Sequence, residues 1–161
     1  MRILLFIFPV FLLSITTFAQ KRKDIKKLKI KSVTETTVTT IAGKQTTYTE
    51  TKTKFDGNGN ESEQTHYLPS GAQKKRIVST YNSSNDIAEE RHYDADNKLT
   101  EIKEFSYNIT KDKIAESTFD GNGKLIKKEV YKYDRNGLKS QRMVTNGEGQ
   151  STEINNYTYD Y

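Results

Sequence analysis

The sequence predicts an all-β protein: an antiparallel meander of about 8–10 strands, built from β-hairpin repeats and forming one twisted or curled sheet, with a half-barrel or barrel as the alternative closure. Three observations predict it. The first is a phase-locked repeat. Phe55, Tyr67, Tyr81, Tyr93, Tyr107, Phe119, Tyr133, Thr145 and Tyr159 follow one another at alternating steps of 12 and 14 residues. Internal repetition outranks local propensity as a fold signal. The second is a turn after each marker: DGNG (56–59), LPSG (68–71), NSSN (82–85), DADN (94–97), NITK (108–111), DGNG (120–123), DRNG (134–137) and NGEG (146–149). An opening Asp or Asn can accept a hydrogen bond from the backbone two residues on, and a closing Gly or Asn tolerates positive φ. The third is what lies between. The intervening segments are rich in Thr, Tyr, Val, Ile, Lys and Glu, and short turns between strand-length segments make a meander.

Taken in chain order, residues 1–19 have the form of a secretory signal peptide: Arg2, an apolar run from Ile3 to Leu13, then small and polar residues ending at Thr17 and Ala19. The apolar run is shorter than the roughly 20 residues a membrane-spanning helix needs. No cysteine follows it, so a lipoprotein anchor is not expected. Export to the periplasm, the outer surface or the medium is the expectation. Residues 20–31 form a basic segment whose KDIKKLKIK stretch suits either one helical turn or the start of a strand. Residues 32–161 form the repeat domain. Its first part, IKSVTETTVTTI and QTTYTETKTKF around AGK (42–44), is Thr-rich and reads as a further hairpin.

The formal net charge is +5, with Lys and Glu closely mixed beyond the basic segment. That is a solvated mixed-charge surface rather than a nucleic-acid site. Four of the seven Phe fall within the first 18 residues and there is no Cys. The domain therefore lacks material for a thick two-layer core or a disulfide framework, and stability must come from the sheet itself.

Alternation places each marker on one face with the residue two before it. Every 26 residues this yields Thr53/Phe55, Ser79/Tyr81, Phe105/Tyr107, Tyr131/Tyr133 and Tyr157/Tyr159 at one end of the strands. The last three pairs make an aromatic stripe, and Phe105, Tyr107, Tyr131, Tyr133, Tyr157 and Tyr159 are the candidate binding surface. Leu99 and Leu125 are expected to extend its apolar side at the opposite end. The other face is expected to carry mainly Lys, Glu, Thr and Ser.

Around YKYDRNG (131–137) the chain resembles the YD-repeat family of Rhs-type and teneurin-like shells, whose Tyr-Asp-x-x-Gly turns sit in successive β-hairpins. YDRNG matches fully, FDGNG twice with Phe for Tyr, and YDADN with Asn for Gly. The resemblance covers about residues 53–161 and implies hairpin construction, in an open or a curled sheet. It implies nothing catalytic.

Residue chemistry points the same way. An EF-hand loop needs Gly at its sixth position and Glu at its twelfth. DGNGNESEQTHY has Glu61 and Tyr67 there, and the second copy places Lys124 at a ligand position. A phosphate loop needs Gly-Lys-Ser/Thr before a helix. His66 and His92 stand 26 residues apart without cysteines or clustered carboxylates, which suits surface strand positions better than zinc. Glu89, Glu90, Glu101 and Glu104 read as members of cross-strand ion pairs. The expected function is a non-catalytic exported scaffold or binding surface at the cell envelope. Its partner would be an unknown envelope protein or polysaccharide, not nucleic acid, and no cofactor or metal is expected. The alternative is a periplasmic carrier cupping an apolar ligand. Self-association through an exposed edge strand, 150–159, is a further expectation.

Overall fold

The computed structural model describes residues 22–160. The expected signal segment, 1–19, and the terminal Tyr161 lie outside the described residues. A short helix, α1 (Arg22–Leu28), precedes ten strands: β1 (Ser32–Ile41), β2 (Lys44–Phe55), β3 (Glu61–Tyr67), β4 (Gln73–Tyr81), β5 (Ile87–Tyr93), β6 (Leu99–Tyr107), β7 (Lys113–Asp120), β8 (Leu125–Tyr133), β9 (Lys139–Asn146) and β10 (Ser151–Asn156). The strands form one antiparallel sheet in sequence order, with β1 and β10 as open edges, so the sheet is not closed into a barrel. The last strand ends at Asn156 rather than at residue 159.

All eight expected tetrapeptides are turns of one construction. In DRNG, the Gly137 N–H donates to the Asp134 carbonyl at 3.0 Å and the Asp134 N–H donates to the Leu138 carbonyl at 2.8 Å. The Asp134 carboxylate accepts from the N–H groups of Asn136 and Leu138, both at 2.9 Å. Asp56, Asn82, Asp94, Asn108, Asp120 and Asn146 each accept the same two bonds. Leu68 has no such oxygen, and there Ser70 Oγ accepts from the Ala72 N–H at 3.4 Å. The fourth residue has φ between 60° and 85° in every turn, including Lys111, the one that is neither Gly nor Asn. The upstream hairpin instead turns on Ala42 and Gly43, both at positive φ, the pattern of a two-residue type I′ loop.

A second regularity accompanies each turn. The marker pairs with the second residue after the turn, and the next residue is bulged out of the ladder. Tyr133 pairs with Lys139 and Lys132 with Gln141, leaving Ser140 unpaired; Phe55, Tyr81 and Tyr107 behave likewise. A bulge leaves backbone groups without ladder partners. Where the bulged residue has a hydroxyl it can supply one: Ser62, Thr100 and Thr152 donate to the carbonyls of Lys54, His92 and Val144 at 3.1–3.3 Å. The tyrosines supply another. Tyr81, Tyr133 and Tyr159 donate their hydroxyls to the carbonyls of Glu61, Lys113 and Lys139 at 2.9, 2.8 and 2.9 Å. Each accepting residue lies 20 positions upstream, just before the bulge of the preceding hairpin at that end. These three tyrosines thus each fasten their hairpin to the preceding one at that end.

At the opposite end two turns place a glycine against the equivalent carbonyl. A Cβ on Gly121 would stand 2.0 Å from the Leu99 carbonyl oxygen, and one on Gly147 2.1 Å from that of Leu125. A Cβ on Gly57, in the identical DGNG tetrapeptide of the β2–β3 turn, would meet nothing within 4 Å. Gly121→Ala and Gly147→Ala should therefore each destabilise by about 1–3 kcal/mol through forced backbone shifts, while Gly57→Ala should cost far less. Gly123→Val and Gly137→Val, at φ 85° and 78°, should each cost about 1 kcal/mol or more, since a β-branched residue tolerates positive φ poorly. Urea midpoints measure all five variants, and equal midpoints for Gly57→Ala and Gly121→Ala would refute the close-approach argument.

The basic segment resolves as a helix that caps the first repeat. Ile25 is 1% exposed, Arg22 donates to Asn60 Oδ1 at 3.3 Å and Lys26 to Asn58 Oδ1 at 3.3 Å. Gly59 lies directly under the helix, where a Cβ would approach the Arg22 carbonyl oxygen to 2.6 Å. Lys29, at φ 52°, ends the helix in a left-handed residue.

Candidate binding surface

Opposed residues of an antiparallel ladder share a face. Thr51, Thr53 and Phe55 of β2 thus share a face with Tyr81 of β4, Phe105 and Tyr107 of β6, Glu129, Tyr131 and Tyr133 of β8, and Arg142 and Val144 of β9. The stripe Phe105/Tyr107/Tyr131/Tyr133 is assembled as expected. Tyr157 and Tyr159 lie past the end of β10 but remain docked, the first by its N–H to the Ser140 carbonyl at 3.0 Å and the second through its hydroxyl. They are 41% and 42% exposed, whereas Tyr131 is 8% exposed.

The faces differ from the sequence expectation in one respect. Leu99 pairs with Tyr93 and Leu125 with Phe119, not with the Tyr131 side. The bulge after each turn inverts alternation, so counting by twos across it arrives at the wrong face. The second face is accordingly not a plain Lys/Glu/Thr/Ser surface. It holds Tyr93 beneath the Arg76 guanidinium at 4.1 Å, Phe119 opposite Ile102, and a cross-strand row of Ala115, Val130, Met143 and Ile154.

On the stripe face, Tyr131 lies at the centre of a polar cluster. Lys113 and Lys139 place their ammonium groups 5.2 and 4.5 Å from its ring centroid, and Lys113 also lies 5.4 Å from that of Phe105. The Tyr131 hydroxyl donates to Glu129 at 2.9 Å. Glu129, 6% exposed, also takes Arg142 Nε at 2.6 Å and Lys127 at 2.8 Å. The Arg142 hydrogen bond, supported by Lys127 and Tyr131, outweighs burial and holds the Glu129 carboxyl at about 2. Burial, with Glu129 accepting its proton in a hydrogen bond, pushes Tyr131 up. Glu116 is directly opposite Glu129. Like charges so placed repel, but each has its own cation, Glu116 binding Lys113 at 2.6 Å. Arg142 continues to Glu153 at 3.0 Å and Asn155 at 3.1 Å, linking β8, β9 and β10.

The histidines share the stripe face. His66 contacts Thr51 Oγ1 at 3.3 Å and Gln64 Oε1 at 2.9 Å, and His92 contacts Glu90 at 3.3 Å. Burial and the neighbouring Lys75 and Lys74 lower the His66 pKa. Among the described residues no group of three or more His, Cys, Asp or Glu is placed to hold a metal ion. Three of the four carboxylates expected in cross-strand ion pairs bond along their own strands instead: Glu89 to Arg91 at 2.6 Å, Glu90 to His92 at 3.3 Å, and Glu101 to Lys103 at 3.6 Å, while Glu104 stands opposite Glu89. Residues two apart on a strand share a face, and a long cation reaches back along it. Pairs across strands occur elsewhere, as in Lys54–Glu63 at 2.8 Å. Sequence reasoning marked Tyr131 but not Glu129 or Arg142. Their only sequence signal is position two before a stripe tyrosine and, on the next strand, opposite it.

No protein-family profile and no curated protein matches the chain. Solved structures similar to it include a TcdB2-TccC3-TEV chain, at 17% identity and TM-score 0.38, over 79% of this chain and 8% of that one. A TcdB2-TccC3-Cdc42 chain is similar at 9% identity and TM-score 0.28, over 80% of this chain and 10% of that one. A protein of unknown function from Bacteroides fragilis NCTC 9343 is similar at 14% identity and TM-score 0.43, over 81% of this chain and 96% of that one. The chain thus spans less than a tenth of the first. All three TM-scores lie below 0.5, and none of these likenesses carries an argument about function.

Proposed function

We propose that the chain is a non-catalytic, exported repeat protein of YD-repeat type that serves as a structural or binding scaffold at the cell envelope. The observation that carries this reading is the lining of the stripe face. Its Tyr, Lys, Glu and Arg side chains bond to one another in an open sheet, which builds a firm recognition surface. A carrier for an apolar ligand needs a wide apolar lining. The row Ala115, Val130, Met143 and Ile154 is one residue per strand wide, and Ile154 is 54% exposed, so the scaffold reading is preferred. The accessible part of the stripe is Tyr157 and Tyr159, and an envelope protein or polysaccharide is the partner class such rings suit.

The experiment is capture from the native envelope with the processed protein and with a Tyr157→Ser/Tyr159→Ser variant. A saturable envelope component held by the first and lost by the second, with the variant still folded and melting cooperatively, is the expected result. Stoichiometric lipid or acyl chains co-purifying with the protein would establish the carrier instead. Export is read separately from the mass of the processed chain, which should begin at Gln20.

A further inference from the structure

We propose that the protein self-associates through β1, whose outer edge pairs antiparallel with β1 of a second copy about a two-fold axis at Val38. The two open edges of the sheet are β1 and β10, and they differ. β10 has six residues, its Glu153 is bound by Arg142, and the chain beyond it is tied back to β9. β1 has ten residues, SVTETTVTTI, with no Lys, no Pro and one charge, Glu35. Proteins normally blunt an open edge with such residues or by shortening it, and β1 has neither protection.

The β1–β2 hairpin also reaches past the sheet. β3 pairs with β2 only over Thr51–Phe55, while the β1–β2 ladder continues from Thr36↔Thr49 to Ile41↔Lys44. This projecting ribbon carries one charge between residues 36 and 49, Lys44, in a chain with 29% charged residues. Val38 is 57% and Ile41 76% exposed. A two-stranded ribbon is marginal in water unless further strands join it.

The sequence of the strand identifies the occupant. Residues 36–40 read TTVTT, a palindrome centred on Val38. Antiparallel pairing about that residue places Val38 opposite Val38, Thr37 opposite Thr39 and Thr36 opposite Thr40. Continued outward, it sets Glu35 opposite Ile41, so no like charges meet within β1. Such a contact is isologous and closes at two copies, and its backbone bonds are those of strand addition.

The test is sedimentation equilibrium of the full processed protein over a range of concentrations. The wild type and an Ile154→Lys variant on β10 should approach twice the monomer mass. Val38→Lys, which sets two ammonium groups opposite each other across the axis, should remain monomeric while keeping the wild-type circular-dichroism spectrum at about 25 °C. Because the chain has no cysteine, Val38→Cys reports the axis directly. Opposed residues have Cα atoms about 4.5–5.5 Å apart, within disulfide range, so mild oxidation should convert the dimer to a covalent one. A wild type that stays monomeric, a Val38→Lys variant that still dimerises, or a Val38→Cys variant that does not cross-link overturns the proposal. So does mass that grows without limit, the sign of β1 pairing with β10 in open-ended filaments.

Discussion

Replacing Tyr131 by Ala should lower stability by about 2–3 kcal/mol, the largest single-residue loss expected on the stripe. The ring is 8% exposed and lies between Lys113 and Lys139, and its hydroxyl is one of the bonds satisfying Glu129. Two controls divide the effect. Tyr131→Phe keeps the ring and removes the bond to the carboxylate, which should cost about 1–2 kcal/mol. Tyr159→Ala removes a ring that is 42% exposed and should cost well under half as much as Tyr131→Ala. Urea denaturation measures all three. If Tyr131→Ala and Tyr159→Ala shift the midpoint equally, the tyrosines do not differ in burial as described.

Glu129→Gln should destabilise by about 2–3 kcal/mol at neutral pH, and the loss should depend on pH in a definite direction. The Glu129 carboxyl titrates at about 2 in the folded protein against an ordinary value of 4.5, because Arg142, Lys127 and Tyr131 all stabilise its charge. A depressed carboxylate contributes stability that is complete above its unfolded pKa and is lost as pH falls through its folded one. The gap between wild type and Glu129→Gln should therefore be constant above about pH 5 and shrink between about pH 4.5 and 2. Other carboxylates titrate in the same window, so the difference between the two proteins, not the wild-type curve, is the quantity to follow. A gap that stays constant down to pH 2 would separate the variant's cost from the Glu129 charge.

The turns and strands of this fold were legible because their chemistry is local. An Asp134 or Asn146 at the first position makes the same two backbone bonds wherever it occurs, and the step of 12 or 14 residues between markers sets the strand length. What was not legible depends on the partner strand. Leu99 and Leu125 moved to the other face because the bulges at Thr100 and Ile126 invert alternation, and a bulge has no local residue signature here: the bulged positions include Ser62, Ile114 and Thr152. Gly57 and Gly121 occupy the same DGNG tetrapeptide, yet only the second is covered by a neighbouring carbonyl. The Glu129 cluster draws on β8, β9 and β10 at once, so no stretch of the chain contains it. Conversely, the palindrome around Val38 is plain in the sequence, but it gains meaning only once β1 is known to be an edge.

The central claim is that an open sheet with little apolar core is held by its turns, its tyrosine fastenings and the Glu129 cluster, without a bound ligand. Native-state amide hydrogen exchange on the ligand-free protein tests this most directly. Protection should be greatest in β7, β8 and β9, where Lys113, Glu116, Glu129, Tyr131 and Arg142 interlock, and should fall toward the projecting tip of the β1–β2 hairpin. Uniformly weak protection in β7–β9, restored only when an envelope ligand is added, would contradict the claim.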